Sequence, residues 1–529
     1  MSRNNGAPVL AIGIDAGEST VIRRMIEQDE LPTLKALVAE GKWISIESPG
    51  IGGSAVWPSF VTGEDPTAHG IYAEWCWEPA TMNLSRFTGR NLTPFWKPLA
   101  EAGITSGIMA VPFMPFLGLS DGFEINEWGP CLLLEDGMQF GPPGLADAIK
   151  EENGAHPLAH RRLDASGPND YVNLQNLISA SLEVVRRRGS LAERLLRKTR
   201  PDISVIVFTE AHAPGHFLWN TVEPDNELYG GGSFKNLRSI KPTFKNIYQE
   251  LDRQIGKLVE AIGAEATVLV FSLHGMRPAR GVPTFLAPLL CEAGLARLGS
   301  WNNQSWTERA VTLLSGIKRY MPNVLRGLYY KSFKPSTVVR LARPTMLPLY
   351  DWAHTQAFCL PTEQLGCIRI NLAGREARGI VPVERYEETC RRLEQWLRSL
   401  TSHEGKPLVS KIIRTAERPE DALKQRLPDL VVHWEDVVFD SPLRIQGSAF
   451  ESYPQVTQYL SQHTSEGFCI LKGSHDLGLE NVLAAKDLGG IITRLVLNGS
   501  QKNNGSTRKG AADNCFDELQ LVAKKSRSI

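Results

Sequence analysis

The sequence has no CxxC pair, no long apolar run and no net charge, and each absence narrows what the chain can be. Eight cysteines stand singly at positions 76, 131, 291, 359, 367, 390, 469 and 515. Scattered thiols in a long chain read as small buried hydrophobes of a reducing compartment, not as a disulfide framework. No stretch reaches the roughly 18 apolar residues that a membrane span needs. The opening, MSRNNGAPVLAIGID, has no apolar segment ahead of its first strand, which predicts no signal peptide. The cytoplasm is the expected location, with no membrane partner. Lys plus Arg and Asp plus Glu number 58 each, so the formal charge is zero. No global field draws such a chain to a nucleic-acid duplex or an anionic bilayer. No internal repeat is visible.

What is present is ordinary globular material. The chain has 529 residues, 42% of them hydrophobic and 22% charged, enough for a large core. Val9 to Ile14 (VLAIGI) is a continuous apolar run that ends in Asp15, the pattern of a buried parallel strand. Ser19 to Gly41 has helical spacing broken near Pro32, and Trp43 to Ile46 reads as the next strand. Short apolar runs recur at Ser106 to Val111, Ile203 to Phe208, Thr267 to Ser272 and Leu430 to His433. Amphipathic stretches such as Leu182 to Leu196 and Phe244 to Ile262 separate them. Alternating strands and helices predict an α/β fold, a mostly parallel sheet with helices on both faces. Ligands of such sheets bind beyond the carboxyl ends of the strands. The polar residues at those ends are therefore the ones to weigh.

Two stretches interrupt the alternation. Residues 220–242 are polar and glycine-rich, and 295–348 are basic and aromatic, so both read as insertions, the second as a cap. Lys and Arg of the second insertion suit a substrate anion or a solvated face. From residue 500 the composition turns polar, which predicts a flexible tail over 500–529 behind one catalytic domain over 1–499.

Three of the eleven histidines sit in informative places. His212 and His216 are four apart straight after a strand, with Pro214 suited to a first helical turn. His274 follows another strand, with Gly275 allowing a tight turn. A lone histidine at a strand end is more often structural. Several at one sheet edge, together with Asp15, suit a metal: zinc first, manganese or iron as alternatives. A hydroxyl nucleophile belongs near such a cluster. Ser54, behind two glycines, is expected at a helix N-cap, either as that nucleophile or merely as the cap. Ser59 and Thr62 compete from inside the helix.

Several of these stretches resemble the type I phosphodiesterase/nucleotide pyrophosphatase branch of the alkaline phosphatase superfamily. They are GIDAGESTVIRRMIEQDELPTLKALVAEG, WPSFVTGEDPTAHGIY, VFTEAHAPGHFLW, VLVFSLHGM, DWAHTQAF with GCIRINLAGRE, and LPDLVVHW, in colinear order. The resemblance covers roughly residues 8–497. It implies an alkaline phosphatase-like mixed sheet with a two-metal site at its carboxyl edge. It also implies a small phosphorylated substrate, cleaved in two steps through a hydroxyl nucleophile. Carried over by position, it gives one metal to His212, His216 and His463, and the second to Asp15, Ser54 and His274. The sequence departs from the pattern at three points. His212 stands where aspartate is usual, Leu273 replaces a ligating aspartate, and the usual nucleophile position falls on Gly53, one before Ser54. The second metal is then expected to bind more weakly, with Glu18 or Glu210 as possible substitutes for the lost carboxylate. His69 is expected to support the site from outside, and His354, His433 and His475 to be structural or superficial. The rival readings are a sulfatase, a phosphoryl transferase, and a binding protein with a degraded site.

Overall fold

The computed structural model describes residues 7–87, 89–126, 138–153, 171–223, 241, 243–278, 286–299, 347–362, 365–435, 443–448, 451–452, 460–473 and 478–501. These fall into two compact units. The first comprises Met1–His69, Thr88–Ala279 and Gln458–Ile529, the second Gly70–Phe87 and Arg280–Thr457. Nearly all of both expected insertions, and the tail beyond residue 501, lie outside the described residues.

The first unit is built on nine strands. They are β1 (Val9–Ile14), β2 (Lys42–Glu47), β3 (Ser106–Met109), β4 (Gly122–Asn126), β5 (Gln139–Gly141), β6 (Ile203–Phe208), β7 (Thr267–Ser272), β8 (Glu466–Lys472) and β9 (Val482–Ala484). Their order across the sheet is β9-β2-β8-β7-β1-β6-β3-β4-β5. Only β8 and β5 run against their neighbours. The sheet is therefore mostly parallel, as the apolar runs predict. β1, β6 and β7 are buried at every position, because a central parallel strand is covered on both faces.

The flanking helices follow their apolar spacing. α1 (Ser19–Glu27) is separated from Pro32–Glu40 by a short break, with the proline in the first turn of the second helix. The helices α2 (Val56–Thr62), α3 (Tyr171–Thr199), α4 (His212–Leu218) and α5 (Lys245–Ile262) come next. Helix α5 buries Ile247, Leu251, Ile255 and Leu258, a stripe at helical period that joins the sheet core. No helix among the described residues is long and apolar enough to cross a membrane.

One expected strand belongs elsewhere. Leu430 to His433 does not enter the parallel sheet. It lies in Leu430–Trp434, inside a four-stranded antiparallel sheet of the second unit, between Gly366–Ile370 and Val409–Arg414. A short apolar run does not encode its partner. Asp429, just before the strand, helps to fix this one. Its buried carboxylate accepts from Ile370 N (2.7 Å), from the Tyr386 hydroxyl (2.9 Å), and from both Nη atoms of Arg375 (2.7 Å each). Removing one partner of a buried ion pair leaves the other charge uncompensated. Asp429→Ala is expected to cost about 3–5 kcal/mol, read as a lower urea midpoint. An unchanged midpoint would show that the pair does not stabilise the second unit.

Candidate metal centre

Strand register positions the site. β1 pairs in parallel with β6 (Ile14 opposite Phe208) and with β7 (Gly13 opposite Phe271). The residues that follow these strands, Asp15, His212 and His274, therefore emerge at one edge. Ala16 is left-handed, at φ 60°, which turns the chain sharply after Asp15. Buried groups hold that turn. Tyr248 Oη accepts from Glu18 N (3.0 Å), and Ser272 Oγ accepts from Gly17 N (2.9 Å) while donating to His274 O (2.9 Å). Ser272 thus ties the Asp15 turn to the His274 turn.

Five of the six expected site residues are in direct contact. His212 Nδ1–H donates to Asp15 Oδ2 (2.7 Å), and His274 Nε2 lies 3.2 Å from Asp15 Oδ1. His463 Nε2 is 2.8 Å from His212 Nε2 and 3.1 Å from His216 Nε2. The rings of His274 and His463 are 4.6 Å apart. His463 comes from the distant segment Ser461–His463, which pairs antiparallel with Met276–Pro278, Met276 opposite His463. The ribbon that leaves His274 therefore carries His463 back over the pair on α4.

Ser54, the sixth, is not an N-cap. It lies half-buried in the middle of a 3-10 turn, Gly53–Ala55, and α2 begins after Ala55 without a side-chain cap. The turn starts earlier than the expected cap because Gly53 hugs the cluster. A Cβ on Gly53 would stand 2.7 Å from His463 Nδ1, so no side chain fits at position 53 with His463 where it is. Ser54 is the first residue after that contact able to carry a hydroxyl. Its two competitors are engaged in helix packing. Buried Ser59 Oγ is 3.0 Å from His69 Nε2, and Thr62 Oγ1 donates to Pro58 O (2.8 Å). His69 thus holds α2 from behind.

Neither substitute carboxylate turns to the cluster. Glu18 caps α1 through Thr20 N (3.1 Å) and accepts from Met276 N (3.0 Å) with its other oxygen. Glu210 is buried against Arg188 Nε (2.6 Å). Leu273 is fully buried. His354 and His433 belong to the second unit, and His475 lies outside the described residues. Sequence reading missed Trp57, whose Nε1–H donates to Asp15 Oδ1 (2.8 Å). It also missed Ser272 and Tyr248. No spacing announces these contacts. The nearest signal is Gly13, where a Cβ would lie 3.1 Å from the Trp57 ring, so glycine there lets the indole cross β1.

The electrostatics suit a cation. Burial, and then the neighbouring imidazoles, push His216 down to about 3 and hold His463 well below the usual histidine range. Burial opposes ionisation of Asp15, but His212 and His274 outweigh it and hold the carboxyl well below its usual range. His216 and His463 are therefore neutral imidazoles beside the Asp15 carboxylate at pH 7, the protonation state that metals require. His212, His216 and His463 bring three ligand nitrogens within 4.8 Å of one another. Nitrogens about 2.0–2.1 Å from a tetrahedral zinc ion lie about 3.3 Å apart, so small rotations of these rings suffice. His212 Nδ1 is tied to Asp15, and His216 Nδ1 lies 3.2 Å from Ser461 O. Such outer bonds orient ligating imidazoles. The residues fit a divalent ion.

A pH dependence follows. Burial also depresses His69 to about 4. A histidine kept neutral by the fold stabilises it fully above its unfolded value near 6.5 and loses that contribution as pH falls through the folded value. The thermal midpoint of the metal-free protein is expected to fall between pH 6.5 and about 4, and His69→Gln to flatten part of the decline. A midpoint constant over that interval would contradict the neutral assignment.

A mostly parallel sheet with an imidazole–carboxylate cluster at its carboxyl edge makes this an α/β fold with a candidate metal centre. Over residues 9–439 the chain matches the type I phosphodiesterase / nucleotide pyrophosphatase family. It belongs to that family of phosphoester hydrolases. No curated protein matches the sequence. Among solved structures, the phosphonoacetate hydrolase of Sinorhizobium meliloti 1021, in complex with phosphonoformate, is similar at 14% identity and a TM-score of 0.47, over 93% of this chain and 96% of that one. Human ectonucleotide pyrophosphatase / phosphodiesterase 5 is similar at 12% identity and a TM-score of 0.43, over 94% and 97%.

Proposed function

We propose that the chain hydrolyses a small phosphate ester, diester or monoester, with a divalent cation as cofactor and Ser54 as nucleophile. The observation that carries this is the convergence of the His212, His216 and His463 ring nitrogens within 4.8 Å, beside Asp15 and next to Gly53. The cation, zinc before manganese or iron, supplies Lewis acidity to a phosphoryl oxygen. His212, His216 and His463 hold it, and the low proton affinity of His216 and His463 keeps their lone pairs free for it at neutral pH. Asp15 brings negative charge to the cluster and orients His212. Gly53 faces His463 without a side chain, so the backbone of Ser54 starts beside the cluster. From there its hydroxyl attacks phosphorus as the bond to the ester oxygen breaks, the serine proton passing by way of solvent to the departing alkoxide. Water then hydrolyses the phosphoserine to the phosphate product and free Ser54.

A second reading is favoured by the missing side chain at Gly53 and by buried Leu273. On that reading the site binds phosphate esters without turning them over. Bis(p-nitrophenyl) phosphate, p-nitrophenyl phosphate and p-nitrophenyl sulfate, offered to zinc-loaded protein, separate the readings. Faster release from one of the phosphates than from the sulfate is expected. Turnover of the sulfate alone would make the chain a sulfatase. Binding without turnover would support the second reading.

A further inference from the structure

We infer that this chain holds a single divalent ion, and that Asp15 is the positioning residue of that one site, the orienting partner of His212, not a ligand of a second ion. The inference rests on the cation site proposed above and goes beyond it. Asp15 has both oxygens engaged by the protein. Oδ2 accepts from His212 Nδ1–H (2.7 Å), and Oδ1 accepts from Trp57 Nε1–H (2.8 Å) and faces His274 Nε2 (3.2 Å). His212 turns its other nitrogen, Nε2, toward His463 (2.8 Å). Carboxylate, imidazole and ion site therefore follow one another in line, the arrangement in which a carboxylate fixes the tautomer and raises the basicity of a ligating histidine.

Among the described residues, the donors for a second ion do not add up. Position 273, beside His274, is a fully buried leucine, and position 53 has no side chain. Glu18 is spent on Thr20 N and Met276 N with both oxygens, and Glu210 is held through Oε1 by the buried Arg188 guanidinium, only its Oε2 being left without a hydrogen bond. What remains is His274, Ser54 and an Asp15 already bonded to three side chains. Even an open catalytic zinc site keeps three protein ligands. His216 shows the same orienting device in another form, with its Nδ1 3.2 Å from the Ser461 carbonyl oxygen. Both histidines of α4 are thus aimed from behind at one point.

The test is metal binding by the full chain. Protein equilibrated with excess zinc and then desalted is expected to retain one zinc per chain by elemental analysis. Asp15→Asn removes the charge but keeps an acceptor. It is expected to retain that single zinc with an affinity roughly 10–100-fold lower, read by competition with a chromogenic chelator. The cobalt-substituted forms distinguish positioning from ligation. The visible absorption bands of the Asp15→Asn protein should keep the wild-type pattern, because the ligand set is unchanged, and Asp15→Glu should recover part of the affinity. Two zinc ions in the wild type, or an Asp15→Asn protein whose first zinc binds as tightly as before, would overturn the inference. A changed cobalt spectrum would overturn it too, by making Asp15 a ligand. The outcome is independent of turnover. Two zinc ions with phosphodiester hydrolysis would refute the inference and leave the proposed function standing. One zinc with the expected Asp15→Asn loss but no hydrolysis would do the reverse.

Discussion

Ser54→Ala is expected to lower kcat by several orders of magnitude while the protein keeps its zinc. Ser54 is half-buried in its 3-10 turn, and it neither caps α2 nor fills the core. Its loss should therefore leave fold and metal content intact. If its oxygen forms the bond to phosphorus, removing it deletes the covalent step, and losses of that size are what a missing nucleophile produces. Acid-quenched mixtures should then contain no phosphoserine, where the wild type gives it at position 54. Near-normal turnover by a folded, zinc-containing Ser54→Ala protein would remove Ser54 from the chemistry. Ser59 could not readily replace it, because it is buried against His69.

His463→Ala is expected to abolish both metal retention and hydrolysis. The variant leaves two of the three converging imidazoles. Loss of a ligand should weaken zinc by more than the roughly 10–100-fold that loss of an outer partner costs. Hydrolysis should fall with occupancy and return only in part at high zinc. The variant also clears the space that a Cβ at position 53 would need, since that atom would meet His463 Nδ1 at 2.7 Å. Gly53→Ser should therefore be tolerated better beside His463→Ala than alone, which differential scanning can read. Full zinc content in His463→Ala would exclude this ribbon from the site.

The legible parts of this fold were the local ones. VLAIGI and ISVIVF read as buried parallel strands because such strands are apolar at every position, and the helical break at Pro32 read correctly because proline marks a first turn. The contact of His212 with His216 followed from four-residue spacing on one helix. Other contacts were not legible. Leu430 to His433 looks like any other short apolar run, and what holds it in the second unit is a buried carboxylate, Asp429, whose partners lie 43 to 59 residues away. The Ser54 turn depends on how closely Gly53 approaches a histidine some four hundred positions later, which no local pattern records. Trp57 and Ser272 are ordinary core residues by composition; the register of β1 with β7 brings Ser272 to the turns of Asp15 and His274, and the close approach of α2 to β1 at Gly13 brings Trp57 to Asp15. The position of His463 was inferred from the family resemblance, because a single histidine in a polar segment carries no metal signal of its own.

A zinc-edge anomalous difference map from a crystal grown with zinc and vanadate tests the account most directly. It should show an ion held by the ring nitrogens of His212, His216 and His463, with vanadate between that ion and the Ser54 oxygen. Zinc bound elsewhere, or vanadate remote from Ser54, would contradict it.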